Sequence, residues 1–169
     1  VTSGSIIGTP TLPSGWKLSG GYLVGPGANL TNVDLGAVDL TGMSLTGANL
    51  TGANLSNATL SAISSGSITG TPQLPASWKI FRGYLVGPSA NLRNAAFGTA
   101  DLRTSTLTAV ISGAVTGTPT LPTGWKLFGG YLIGPGANLT DADLASVDLS
   151  GVTSGSIIGT PTLPSGWKL

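Results

Sequence analysis

Cysteine, histidine and glutamate are all missing from this chain, and only 8% of its residues carry charge. Without cysteine it forms no disulfides and no thiolate metal sites. Without histidine or glutamate, the six aspartates (Asp34, Asp39, Asp101, Asp141, Asp143 and Asp148) have no partner for a hydrolytic or metal centre. Neither enzymatic activity, cofactor nor metal is therefore expected. Seven basic residues against six acids leave a net charge of +1, which provides no electrostatic footprint for nucleic acid. No apolar run approaches the roughly 18 residues that insertion into a membrane needs. The chain opens at Val1 with neither an initiator methionine nor a signal peptide, so it reads as mature or excised.

What is present is a beat of five. Leucine recurs at positions 30, 35, 40, 45, 50, 55 and 60. The phase returns at Leu92, Phe97, Leu102 and Leu107, and again at Leu139, Leu144 and Leu149. Five is neither the 3.6 of a helix nor the 2 of a strand. A short fixed period signals a solenoid whose units stack on their neighbours. Two positions before each leucine lies a second apolar and mostly small residue, such as Ala28, Val33, Ala48 or Ala53, with Ser105 the exception. Large and small side chains thus alternate into a narrow interior, each leucine contributing about 1.5–3 kcal/mol before entropy. One position before each leucine lies Asn, Asp, Ser or Thr, with Ala96 the exception. Such short polar side chains bond nearby backbone and stabilise turns. Five of the six aspartates sit there, so they read as turn residues.

This pattern resembles the pentapeptide-repeat family, and Ala48–Gly52 and Ala53–Asn57 match its unit in full. The resemblance implies an all-β right-handed quadrilateral β-helix, with four pentapeptides in a twenty-residue coil. Over this length it implies about eight coils in one continuous rod. The matching tracts are residues 28–62, 90–109 and 137–151. Some members of the family imitate double-stranded DNA with a dense acidic surface, which this charge balance does not provide.

A longer cassette is nested in the repeat. It runs Gly8-Thr9-Pro10-Thr11-Leu12-Pro13, Trp16-Lys17-Leu18, Gly21-Tyr22-Leu23-Val24-Gly25-Pro26 and Ala28-Asn29-Leu30. It returns over residues 70–92 and 117–139 and begins once more over 159–169. Successive cassettes start 62, 47 and 42 residues apart, each a multiple of five plus two. The cassette is therefore expected to lie in the helix wall with two extra residues, bulged near Pro13-Ser14-Gly15. On that count the first two cassettes sit above one another, about 14 Å apart at roughly 4.8 Å per coil. The third is turned by one face, and the fourth lies under the third. Their aromatics then form vertical stripes. Val1–Leu18 and Val152–Leu169 are identical, so the chain reads as an excerpt of a longer tandem array.

The cassette aromatics, Trp16, Tyr22, Trp78, Tyr84, Trp125, Tyr131 and Trp167, are the candidate contact residues. They could close a corner with Lys over the indole, meet a second copy, or stack on a cell-surface glycan. Sparse charge favours self-association. The expected function is a structural segment of a repetitive extracellular or cell-surface filament, stalk or sheath. The rival is a monomeric adhesin or cell-wall-binding module using the same aromatics.

Overall fold

The computed structural model describes residues Val1–Leu169 and contains no helix. The chain divides into two compact units, Val1–Leu85 and Val86–Leu169.

In the first unit every leucine from Leu30 to Leu60 is buried, and the smaller residues Ala28, Val33, Ala48 and Ala53 lie buried beside them. Val38 and Met43 are half-buried against the same cluster. Between one unit and the next the chain turns. The Val33 amide donates to the Leu30 carbonyl at 3.1 Å, and Ala48 and Ala53 donate to Leu45 and Leu50 at 3.0 Å. Each such bond closes a β-turn. Its third residue has positive φ at Asn32, Gly42, Gly47 and Gly52, which Asn and Gly tolerate best. The preceding polar side chain holds the turn: Asp34, Asp39, Asn49 and Asn54 each accept from the amide two residues on, at 2.9–3.1 Å.

Successive coils then pair in parallel at a separation of 20 residues. Asn29 pairs with Asn49, Asp34 with Asn54, Asp39 with Thr59, Ser44 with Ser64, and Asn49 with Thr69. The ladder is continuous in backbone hydrogen bonds: Leu30 donates to Asn49 O at 2.8 Å and Asn49 to Ala28 O at 2.9 Å. Side chains stack along it too, Asn54 Nδ2 donating to Asp34 Oδ1 at 2.9 Å.

The second unit repeats the scheme. Leu92, Phe97, Leu102, Leu132 and Leu144 are fully buried. Asn91 pairs with Ile111, and Asn138 with Ile158. Where Ala96 replaces the usual polar residue, Ala96–Gly98 (β5) pairs in parallel with Thr116–Gly117 (β6). The remaining strands are short hairpins: Lys17–Ser19 (β1) with Tyr22–Val24 (β2), Lys79–Phe81 (β3) with Tyr84–Val86 (β4), and Lys126–Phe128 (β7) with Tyr131–Ile133 (β8).

These hairpins correct the expected register. A coil that carries a cassette takes 27 residues, since Thr2 pairs with Asn29 and Ile111 with Asn138. The Gly-Thr-Pro corner runs one residue short, pairing Asn54 with Gln73 and Asp143 with Thr162, and the hairpin more than restores the difference. The cassette therefore adds seven residues, not two. In the first unit, Thr2 shares a column with Asn29, Asn49 and Thr69, whereas its counterpart Ser64 lies in the column of Ser44. The second cassette is thus one face behind the first, not above it. In the second unit, Thr153 corresponds to Ile111 by sequence but precedes Ile158, which shares its column, by five residues. The fourth cassette is likewise one face behind the third. Vertical aromatic stripes do not form within either unit.

Candidate functional site

Each hairpin joins its strands through two residues of positive φ: Gly20-Gly21 (55° and 82°), Arg82-Gly83 (50° and 81°) and Gly129-Gly130 (53° and 82°). Both angles are those of a type I′ turn, whose twist matches the flanking strands. The second glycine is fixed by space as well as by φ. A Cβ on Gly83 would lie 2.9 Å from the Ile68 amide nitrogen, and one on Gly130 2.7 Å from that of Ala114. Glycine at this place lets its carbonyl accept from the incoming coil: Ile6 N–H donates to Gly21 O, Ile68 to Gly83 and Val115 to Gly130, at 3.0–3.1 Å.

A serine clip completes the seat. Leu23 N–H donates to Ser3 Oγ at 2.7 Å, Leu85 to Ser65 at 2.8 Å, and Leu132 to the buried Ser112 at 2.9 Å. The tyrosines lie over glycines of the same incoming segment. An added Cβ would reach the Tyr22 ring from Gly4 at 3.3 Å, and the Tyr84 ring from Gly66 at 3.1 Å. The indoles press on the Gly-Pro glycine instead. A Cβ on Gly25 would lie 2.6 Å from Trp16, and one on Gly134 2.4 Å from Trp125. Trp16, Tyr22, Trp78, Trp125 and Tyr131 are half-buried against the hydrophobic clusters of their units. Tyr84 is half-buried too, whereas Trp167 is 49% exposed.

Lys17 and Lys126, which follow Trp16 and Trp125, reach away to later turns. Lys126 Nζ lies 5.6 Å from the centre of the Phe128 ring and donates to Ser150 O at 2.6 Å. Lys17 Nζ donates to Asp39 O. These two lysines reach the turn of a later pentapeptide, and the carboxyls of Asp39 and Asp148 there are held below their ordinary range. For Asp39 the cause is the Thr41 hydroxyl and then its amide; for Asp148 it is the Ser150 amide and then its hydroxyl. Lys17 and Lys126 act in the same direction more weakly, and burial opposes.

In the second unit an open groove of about 600 Å³ runs beneath the hairpin, lined among others by Thr118, Pro119, Trp125, Lys126 and Phe128. Sequence reading names Trp125 there but misses Phe128. The hairpin carries a legible signal, a Gly-Gly or Arg-Gly pair between short apolar–aromatic segments.

With this geometry in view, the comparison with known families is decisive for one tract: residues 27–62 match the model for pentapeptide repeats, in eight copies. That tract is built of pentapeptide repeats. The matched residues are those whose leucines are buried and whose polar neighbours form the 20-residue parallel ladder. Pentapeptide repeats imply a β-helix, in keeping with the all-β fold. No curated protein and no solved structure matches the chain.

Proposed function

We propose that the chain is a non-catalytic structural element: a β-helical segment of a repetitive extracellular or cell-surface filament, stalk or sheath. Its coils are right-handed and four-sided, somewhat fewer than eight because a cassette coil uses 27 residues. The observation that carries this reading is the coil-to-coil ladder of parallel pairs over a leucine interior. Such a ladder supplies stiffness through backbone hydrogen bonds and cohesion through apolar burial. The hairpins are mechanical parts, with Trp and Tyr closing the wall and Lys fastening the next turn. The partner is the same chain. Electron micrographs and sedimentation over a concentration series test the idea: particles should lengthen with concentration, and a chain that stays monomeric throughout refutes it.

The open groove at Trp125 and Phe128 favours one second reading, an adhesin that takes a cell-surface glycan. Stacking of sugar rings on these aromatics would then be lost in Trp125→Ala, measured as binding to purified cell-wall glycan.

A further inference from the structure

The groove beneath the third hairpin holds two aromatic rings, and each is backed on one side by its own chain. A Cβ on Gly134 would lie within 2.8 Å of Cδ2, Cγ and Cε2 of Trp125. Three ring atoms that close together place the indole flat on the glycine. Trp125 also packs against the hydrophobic cluster of its unit and lines the groove. Its orientation is therefore set, and its other face is left to the groove. Phe128 is held in a comparable way. Lys126 Nζ sits 5.6 Å from the ring centre and is itself fixed by Ser150 O at 2.6 Å. The phenyl ring packs against the same cluster and lines the same groove. At about 600 Å³ the groove has the size of a small-ligand site, such sites spanning roughly 300–1,000 Å³.

The surroundings of the rings are polar but offer no spare charge. Thr118 stands exposed at the rim and brings a hydroxyl. Lys126 is the one charged residue of the lining. Its ammonium is engaged by the Ser150 carbonyl, and its charge is also felt by the Asp148 carboxyl. An anion brought into the groove gives up hydration without gaining an unengaged cation. The open aromatic faces match a flat C–H surface instead. A hexopyranose with equatorial hydroxyls turns axial C–H bonds to both of its faces. Equatorial links between such rings keep them in one flat ribbon, whereas an axial hydroxyl interrupts the surface.

We infer that this groove takes an uncharged oligosaccharide of equatorially substituted hexopyranoses, stacked on Trp125 and flanked by Phe128. The inference rests on the glycan reading given above and narrows it to one class of sugar. Phe128 is then the residue that separates this cassette from the first one, where Ser19 stands at the same place. The two hairpins keep one register: Ser19 faces Tyr22 as Phe128 faces Tyr131. Serine is therefore compatible with the hairpin while it removes one of the two platforms.

The test titrates the whole chain with cellopentaose and with pentagalacturonate, which is acidic and carries an axial hydroxyl. Four tryptophans give four indole N–H signals in a proton–nitrogen NMR spectrum, so binding can be placed at one of them. Cellopentaose should shift the Trp125 signal, assigned by its loss in Trp125→Phe, and leave that of Trp16 unmoved. Pentagalacturonate should shift neither. Phe128→Ser should weaken cellopentaose binding about three- to tenfold, the worth of one aromatic contact, with the Tm of the chain retained. Equal shifts with both sugars, or a larger one with the acidic sugar, overturn the inference and leave the glycan reading standing. Cellopentaose binding that Phe128→Ser does not weaken overturns it too, because the second platform is then idle. If Trp125 answers neither sugar while purified cell-wall glycan still binds, the inference alone fails. Loss of that binding as well sinks the glycan reading with it.

Discussion

Two serines of the second unit offer a matched experiment in which one chemical change has opposite consequences. Ser105 occupies the inward small-residue position, where Ala or Val is the rule, and its Oγ is buried without a protein partner. Ser112 Oγ is buried too, but it accepts the Leu132 amide at 2.9 Å. A buried hydroxyl without a partner costs about 1–3 kcal/mol. Ser105→Ala removes that penalty and leaves the small volume that neighbouring units already use, so a gain of about 1 kcal/mol is expected. For a chain of this length that raises Tm by roughly 2–4 °C. Ser112→Ala strands the amide of fully buried Leu132 and should lose about 2 kcal/mol, lowering Tm by roughly 4–8 °C. Calorimetry, with urea midpoints at unchanged slope as the second probe, reads both. If the two variants move in the same direction, the inward position does not select for apolar side chains, and the account of the core is wrong.

Other consequences are as direct. Leu50→Ala, at a fully buried site, should cost about 2–5 kcal/mol, whereas Leu169→Ala, at a site 68% exposed, should change urea stability by less than about 0.5 kcal/mol. Gly130→Ala places a Cβ 2.7 Å from a backbone nitrogen at φ 82° and should lose about 2–3 kcal/mol in the same assay. Arg82→Asn relieves a bulky residue at φ 50° and should gain about 0.5–1 kcal/mol. Asp39 and Asp148 titrate below their ordinary 3.8 in the folded chain, so the unfolded chain binds more protons there. Their contribution is complete above that value and is lost as pH falls through the lower, folded one. Acid unfolding followed by circular dichroism should therefore show level stability near neutrality and a decline below about pH 4, blunted in the Asp39→Asn/Asp148→Asn double variant.

The repeat itself is legible because each of its positions has one physical duty. Leucine is buried, the residue before it caps the turn, and Gly or Asn takes positive φ, as at Leu50, Asn49 and Gly52. The cassette resists the same reading for a different reason. Spacings of 62, 47 and 42 fix the insertion only modulo five, so two extra residues and seven fit equally well. Choosing between them requires seeing that Leu18-Ser19-Gly20-Gly21-Tyr22-Leu23 is a two-residue hairpin. The aromatic residues are visible in the sequence, but their contacts are not. Nothing in Trp16 or Trp125 announces that a glycine nine residues later will lie against the ring.

The 27-residue coil has a bearing on how such a chain can change. Since paired residues of the ladder lie four pentapeptides apart, gaining or losing a single unit moves the following hairpin by one column of that ladder while the five-residue phase of the leucines is kept. Tandem duplication, the commonest accident of repetitive genes, thus acts on this architecture as an indexing dial. Orientation of the projecting loops moves in discrete clicks, decoupled from the integrity of the interior.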